Sequence, residues 1–284
     1  MFADDTNLFL TGRNLSDLEA KLNIELNKIN TWFQVNLLSL NYSKTNYIIF
    51  HNSRNRHNLA DVNLHINNFK LQRVNFTKFL GVIIDSKLNW KMHIDKINNK
   101  VSKSVGVICK LRHILPHDHV RNLYHTLVEP YFLYCILVWA GPVKTGKLDK
   151  LLRLQKKFVR LILFQPYGAH SKNLFSLLRI RTIYQIYTYR LAMYMFNAIV
   201  QKRQGPFRFQ INSDIHSHDT RNGRRLHVLR ARTRRRQSTV QFYGLKLWNS
   251  IPQGITKLAV TSAFRSRIKQ YIGELFEFDE LFSL

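Results

Sequence analysis

The chain has 284 residues and is 45% hydrophobic, so it can bury a sizeable core, and wholesale disorder is excluded. Its 44 Lys and Arg residues outnumber its 17 Asp and Glu residues, which gives a formal net charge of +27 and an isoelectric point near 10.4. A compact body with this charge repels itself unless a polyanion screens it, so nucleic acid is the expected partner. A ribosome-like structural protein and a protein that binds an anionic membrane surface are the alternatives.

The sequence predicts neither membrane insertion nor secretion. The longest apolar run, residues 131–140, is half the length of about 20 residues that a spanning helix needs. The N-terminus lacks the basic region and apolar core of a signal peptide. Cys109 and Cys135 are too few for a disulfide framework and fit a reducing compartment. We therefore expect the nucleus or the cytoplasm.

The chain opens with MFADDTNLFL, in which two aspartates, Asp4 and Asp5, separate two short apolar stretches. Leu8 to Leu10 is predicted as the outgoing strand of a tight hairpin with the acidic pair in its turn. Adjacent carboxylates in such a turn can face one cleft, where they would repel each other unless Mg²⁺ is bound. The alternative is an ordinary surface turn, which Asp-Asp also favours.

The next elements alternate between helix and strand. An S-x-x-E capping box at residues 16–19 predicts the start of an amphipathic helix that ends near Asn36. A strand is predicted over residues 46–50 and a hairpin over 63–74, with the Asn-Asn dipeptide as its turn. Residues 76–85 are predicted as one further strand.

After residue 85 the apolar period changes from two to about 3.6. A long helix is predicted to end before Pro116. A second helix, residues 118–139, is expected to kink or split at its internal proline. A third covers residues 148–164, and residues 171–202 are predicted as further helix.

The C-terminal region begins with a strongly basic segment. Half of the residues in 221–236 are arginine, so this segment is predicted to be a loop or a flexible arm. Ordered structure is expected again over residues 242–252 and in a final helix near 262–272.

Several of these segments, taken in order, resemble one protein family. FADD, LNYSKT and FLGVIIDSKLNWKMHI are similar to the later palm motifs of reverse transcriptases from non-LTR (LINE-type, jockey-like) retrotransposons. LYHTLVEPYFLYCILVWAG, LDKLLRLQKKFVRLI and LWNSIP resemble the region that these elements carry after the palm. The resemblance extends from residue 2 to about residue 272. A maturase-like protein of a group II intron is a more distant alternative.

The resemblance implies an α+β fold in three parts. Residues 1–90 would form a partial antiparallel polymerase palm, and residues 91–204 a helical thumb and connector. Residues 205–284 would form a basic arm and a C-terminal helical region. The implied partners are an RNA template and a DNA primer.

The resemblance also assigns roles around the acidic pair. Asp4 and Asp5 match the catalytic pair that binds Mg²⁺, with Asp4 the more direct ligand. Phe2 and Ala3 precede the pair and match residues that border the nucleotide and the primer end.

Two further motifs match other parts of the active site. Lys44 matches a lysine that approaches the pyrophosphate as a general acid, and a solvated turn residue is the equally weighted alternative. Phe79, Leu80 and Gly81 match a strand turn that grips the primer backbone, for which an ordinary buried strand is the alternative.

Basic residues of the implied thumb and arm are expected to contact nucleic-acid phosphates. In the helices these are Lys103, Lys110, Arg153, Lys156, Lys157 and Arg160. In the basic segment they are Arg224, Arg225, Arg230, Arg232, Arg234, Arg235 and Arg236. A charged linker is the alternative for the second group.

A full reverse transcriptase also needs fingers and an upstream aspartate that bridges both metals, and these would precede Phe2. Asp85 belongs to a different motif and is no substitute. We therefore expect the C-terminal half of a polymerase, inactive on its own. The alternative function is a non-catalytic nucleic-acid-binding remnant.

A zinc site is disfavoured although Cys109, His113, His117 and His119 have suggestive spacings. The first two lie on a helix, a proline interrupts the set, and no second cysteine pair is present. A basic, polar corner between two helices explains these residues better.

Overall fold

The structure is a computed structural model that describes residues 6–51, 62–141, 146–215 and 222–275. At three helical positions only the backbone is described: Lys147, Arg234 and Leu275. The chain divides into two compact units, Met1–Trp90 and Lys91–Leu284. The described parts combine helices with small sheets, in agreement with the predicted α+β class.

The first unit contains one long helix and several short strands. Its elements are α1 (Leu15–Val35), β1 (Asn46–Tyr47), β2 (His65–Ile66), β3 (Phe69–Lys70), β4 (Gln72–Arg73), β5 (Phe76–Phe79) and β6 (Val82–Asp85). β2–β3 and β5–β6 are antiparallel pairs, whereas β1 pairs with β4 in parallel. The expected antiparallel arrangement therefore holds for two of the three described pairs.

Helix α1 starts two residues earlier than the sequence pattern predicted. Its N-cap is Asn14, so Ser16 lies inside the first turn and the predicted capping box is wrong. The helix ends as predicted at Asn36, whose amide donates a hydrogen bond to the carbonyl of Trp32. Apolar residues of α1, Leu22 and Leu26 among them, pack on a buried cluster. The cluster consists of Val62, Leu64, Ile66 and Leu71.

The predicted hairpin at residues 63–74 is confirmed as β2–β3. Asn67 begins its turn with a φ of 53°, a left-handed conformation that asparagine tolerates well. The side-chain amide of Asn30, buried on α1, donates to the side-chain oxygen of Asn67 at 2.9 Å. This contact fixes the turn on the helix.

Two other strand predictions for the first unit are wrong. Leu8 to Leu10 has no strand structure. Residues 76–85 form a hairpin rather than one strand, because Leu80 and Gly81 both have positive φ, 45° and 83°. Two such residues in succession match the right-handed twist of the flanking strands and reverse the chain tightly.

The second unit is helical in its described part. Its helices are α2 (Lys91–Leu111), α3 (His117–Leu127), α4 (Glu129–Leu133), α5 (Ile136–Trp139), α6 (Lys147–Ile162), α7 (Lys172–Leu177), α8 (Ile183–Ile199), α9 (Arg234–Gln237), α10 (Val240–Ser250), α11 (Gln253–Thr256) and α12 (Thr261–Leu275). The predicted helix 118–139 is split as expected near Pro130, and again at Cys135, whose φ is 51°. No helix of the described residues has the length and apolarity to cross a membrane.

Two sets of helices bury most of this unit's apolar side chains. α2 packs against α6 through its predicted apolar stripe, from Ile94 to Ile108. α8 packs against α10 and α12, where the rings of Phe196 and Phe264 stack with centroids 4.2 Å apart. α8 begins with a complete capping box formed by Thr182 and Gln185.

Candidate nucleic-acid interface

The residues assigned to metal and nucleotide binding, Phe2, Ala3, Asp4 and Asp5, lie outside the described residues. The described residues begin at Thr6. Phe9 packs edge-to-face on Phe79, with ring centroids 6.3 Å apart. The β5–β6 hairpin is thus in contact with the segment that follows the acidic pair.

The tip of the β5–β6 hairpin is accessible. Leu80 and Gly81 form its turn, and Gly81 is exposed. Phe79 is the last residue of β5 and is partly buried, whereas Leu80 and Gly81 reverse the chain. A contact between this turn and the primer backbone stays a prediction.

Lys44 ends a single 3₁₀ turn, Tyr42–Lys44. The side chain of Asn41 accepts a hydrogen bond from the backbone N–H of Lys44 at 3.2 Å, which fixes the turn. The lysine itself is exposed. Both interpretations of Lys44 are compatible with this position, so its role as a general acid stays a prediction.

Asp85 organises the loop that joins the first unit to α2. The side chain is only 8% exposed, and its carboxylate accepts backbone N–H groups of Lys87, Asn89 and Trp90 at 2.9 to 3.1 Å. These donors hold a loop in which Leu88 and Trp90 have positive φ. A carboxylate engaged in this way is poorly placed to bind a metal as well. Among the described residues, no group of three His, Cys, Asp or Glu side chains could hold a metal ion.

The predicted phosphate-binding residues of α2 and α6 are mostly exposed. Lys103 and Lys110 lie seven residues apart on one face of α2, and Arg153 and Lys157 lie on one face of α6. None of these four side chains takes part in an ion pair within the described structure. Lys156 and Arg160 are partly buried. Arg160 also has a structural contact, because its Nε donates to the carbonyl of Ala169 at 2.8 Å.

The described part of the basic segment is mostly loop, which is one of the two predicted alternatives, and hydrogen bonds hold it on the helical body. Leu226 is only 6% exposed and exchanges two hydrogen bonds, at 2.9 and 3.0 Å, with the side chain of Asn249 on α10. Its neighbour Arg225 accepts the backbone N–H of Asn212. Farther on, Thr233 accepts the backbone N–H of Arg236 and caps α9. Ordinary tertiary hydrogen bonds therefore fix this segment.

The arginines of the anchored segment point outward. The exposed members of the predicted set are Arg224, Arg225, Arg230, Arg232, Arg235 and Arg236. Arg234 lies on α9, and its side chain is outside the described structure.

Two aromatic residues next to α6 were missed by the sequence reasoning. Phe164 and Tyr167 are exposed and lie near Arg112 and Arg160, respectively. The dipeptides Gln-Pro and Tyr-Gly directly after a basic helix could have indicated a turn that presents an aromatic ring.

Several buried polar groups belong to the core rather than to a reactive site. Gln155 on α6 donates to the hydroxyl of Tyr124 at 2.7 Å and accepts the backbone N–H of Ile183 at 2.8 Å. Burial raises the pKa of Tyr124, so its hydroxyl stays neutral. Burial, with a smaller contribution from Lys96, lowers the pKa of His93 from 6.5 to about 4. These groups connect helices and carry no charge at neutral pH.

Comparison with known proteins gives one informative relative. The chain is 27% identical over 112 residues to the "RNA-directed DNA polymerase from mobile element jockey" of Drosophila funebris. The aligned part is 38% of this chain and 12% of that polymerase, so the chain spans a small part of its relative. No family model matches, and no solved structure gives a significant match. The similarity supports a relationship to retrotransposon reverse transcriptases.

Proposed function

We propose that the chain is part of the RNA-directed DNA polymerase of a retrotransposon, and that it binds the RNA template and the DNA primer. The observation that carries this proposal is the set of exposed basic side chains on α2, on α6 and on the anchored segment from Arg224 to Arg236. Four of them, Lys103, Lys110, Arg153 and Lys157, lie on helices without an acidic partner in the described structure. Such charges bind phosphates and release counterions.

The basic helices would act as the thumb that follows a polymerase palm. Seven-residue spacing puts Lys103 and Lys110 on one side of α2, and spacing of three and four puts Arg153, Lys156 and Lys157 on one side of α6. Each row would contact phosphates of a nucleic-acid strand. The contacts would fix the position of the duplex and carry no sequence information.

The first unit would contribute to the polymerase active site. Asp4 and Asp5 would hold Mg²⁺, which when bound activates the primer hydroxyl and stabilises the leaving pyrophosphate. The turn at Leu80 and Gly81, in which Gly81 is exposed, would contact the primer backbone, and Lys44 would supply a proton to the pyrophosphate.

We further propose that this chain binds primer and template without extending the primer by itself. A two-metal centre needs a bridging carboxylate in addition to an adjacent pair. Asp85 does not supply it, because its carboxylate is saturated by backbone donors. This engagement also favours the second candidate, a non-catalytic protein that binds nucleic acid through the same basic surfaces.

A combined binding and extension assay tests this proposal. The 284-residue chain is titrated into a fluorescent RNA/DNA hybrid at several salt concentrations, and the same primer is tested for extension with Mg²⁺ or Mn²⁺. We expect binding that weakens steeply with salt, and no extension. Failure to bind the hybrid would contradict the proposed role. Extension that disappears in Asp4→Ala would show that the chain contains a complete metal centre.

A further inference from the structure

Exposed aromatic rings and cationic side chains meet where the end of α6 approaches the turn between α2 and α3. We call this cluster the α6 corner; it consists of Arg112, His113, His117, Phe164 and Tyr167. Arg112 joins the two segments, because its guanidinium donates to the carbonyl of Leu161 at 2.9 Å. The same guanidinium lies 4.7 Å from the ring centroid of Phe164. The two histidine rings pack edge-on against Phe164 at 5.3 and 5.8 Å.

Phe164 occupies a backbone position that normally favours glycine. Its φ is 52°, directly after α6, and Gln165 donates its backbone N–H to the carbonyl of Arg160 at 2.9 Å. This is the hydrogen bond of a Schellman-type helix end, in which glycine avoids a steric penalty that phenylalanine incurs. The ring of Phe164 is 49% exposed. The free energy gained by partial burial of this ring therefore does not by itself explain why phenylalanine rather than glycine occupies the position.

Tyr167 is still more exposed, at 87% of its surface. It lies in a turn closed by the hydrogen bond from Ala169 N–H to the Pro166 carbonyl at 3.0 Å. Arg160 holds the same turn through the Ala169 carbonyl, and its guanidinium lies 5.9 Å from the tyrosine ring. The loop is thus fixed while the ring remains in solvent.

The surroundings of these rings are strongly basic. Residues 105–117 and 153–172 contain seven Lys and Arg residues and no Asp or Glu. The next acidic residue along the chain, Asp118, pairs with Arg121 at 3.3 Å. A ligand for this surface should therefore be anionic and should offer flat faces to the exposed rings.

Single-stranded nucleic acid has both properties. Its phosphates are anionic, and its unpaired bases stack on aromatic side chains regardless of sequence. In a duplex the bases stack on one another, so their faces are not accessible to aromatic side chains. An acidic peptide would bind the basic side chains but would not require two exposed rings. Cationic groups beside the rings would strengthen the contact with the phosphates.

We propose that the α6 corner binds unpaired nucleotides, with bases stacked on Tyr167 and Phe164 and phosphates neutralised by neighbouring cations such as Arg160. This inference rests on the proposed function, because it extends a duplex-binding surface to the single-stranded segment that continues from a primer–template duplex. It explains why the basic corner combines ordered loops with exposed rings.

The test compares the binding of blunt and tailed probes by the 284-residue chain. Fluorescence anisotropy measures binding to a blunt RNA/DNA hybrid and to the same hybrid with a tail of about six unpaired nucleotides. One tail is RNA and another is DNA, so that the two sources of unpaired nucleotides are distinguished. We expect the wild-type protein to prefer at least one tailed probe over the blunt hybrid.

Tyr167→Ala should weaken binding of the preferred tailed probe about 5- to 100-fold and change binding of the blunt hybrid by less than about twofold. Tyr167→Phe keeps the ring and should bind like wild type. Because Tyr167→Ala removes no charge, the salt dependence of the remaining binding should keep its slope. Phe164→Gly removes a ring without introducing backbone strain, so this variant should fold while losing affinity for the tail.

Tyr131→Ala is the matched control, since Tyr131 is an exposed tyrosine of the same unit outside the α6 corner. It should leave every affinity unchanged. Equal binding of tailed and blunt probes by wild type would overturn this inference while the proposed function stands. An equal loss of tailed and blunt binding in Tyr167→Ala would also overturn it. If wild type bound none of the probes, the proposed function itself would fail.

Discussion

At the scale of single residues, the buried polar side chains of Asp85 and His93 have different roles. Asp85 lies at the end of β6 and stabilises positive-φ backbone in the following loop through hydrogen bonds to its charged carboxylate. Charge-assisted hydrogen bonds of this kind are about twice as strong as neutral ones. His93 lies one turn into α2 beside the ring of Trp139, with centroids 5.5 Å apart, and is held neutral by burial.

His93 should make the stability of the protein depend on pH in the acidic range. Its pKa is lowered from 6.5 to about 4, so below pH 6.5 the unfolded chain takes up a proton that the folded chain excludes. The contribution to stability is complete above pH 6.5 and is lost as the pH falls towards 4. At about 1.4 kcal/mol per pKa unit, the loss of unfolding free energy is at most about 3.5 kcal/mol.

Urea denaturation at pH 7.5, 6, 5 and 4.5 measures this effect in wild type and in His93→Gln. Glutamine does not titrate, so the variant should lose less stability on acidification than wild type. His119→Gln changes an exposed histidine and should keep the wild-type pH dependence. Identical pH profiles for His93→Gln and wild type would contradict the assignment.

At the scale of elements, close packing decides what the helices tolerate. α8 lies in the middle of the second unit, and Leu191, Met195 and Phe196 on it are fully buried. α10 approaches α8 closely at Gly244, where a Cβ atom would lie 2.7 Å from the sulfur of Met195. Gly106 on α2 is different, since a Cβ there meets no atom within 4 Å.

Replacement of these two glycines by alanine should have opposite effects. Gly106→Ala should raise the unfolding free energy by about 1 kcal/mol, because alanine favours the helix and meets free space. Gly244→Ala should lower it by about 1 to 3 kcal/mol, because a buried methionine cannot move aside without strain. Chemical denaturation of the two variants measures both values. Stabilisation by both substitutions would show that α8 and α10 are less tightly packed than described.

At the scale of the whole molecule, basic residues are in large excess, and most of the predicted phosphate-binding set is exposed. The ion pairs of Arg121, Lys150 and Arg181 in the second unit lie outside that set. The formal net charge of +27 already counts every acidic residue, and a charge of this size favours association with polyanions.

The anchored arginines should contribute measurably to the salt dependence of binding. Replacing Arg232, Arg235 and Arg236 with alanine should reduce the slope of log K against log salt for the RNA/DNA hybrid by up to about 3, if each contacts one phosphate. The matched triple lysine variant keeps the charges and should keep the slope. An alanine variant with the wild-type slope would show that this segment does not contact phosphates.

Local patterns predicted much of the helical part correctly. The apolar spacing from Ile94 to Ile108 located α2, because one face of a helix must be buried continuously. Pro130 correctly indicated a break, because proline lacks a backbone donor. The Asn-Asn turn located β2–β3 for a similarly local reason.

Features that depend on distant contacts were not predictable from such patterns. Gly81 was read as a strand residue because residues 76–85 are rich in strand formers, whereas the left-handed backbone at Leu80 and Gly81 makes a hairpin. The composition of the basic segment predicts a loop or a flexible arm, because it cannot form a core. Its contacts with the helical body include those of buried Leu226, whose partner Asn249 is 23 residues away.

The sequence alone determined the charge, the change from a strand-forming to a helix-forming region near residue 90, and the motifs that resemble retrotransposon reverse transcriptases. Only the tertiary structure decided that the Asp85 carboxylate accepts hydrogen bonds from backbone N–H groups. It also decided that Arg112, Phe164 and exposed Tyr167 belong to the same α6 corner. The physical reason is that composition and periodicity are properties of neighbouring residues. A hydrogen-bond partner or an exposed ring is decided by segments that meet only after folding.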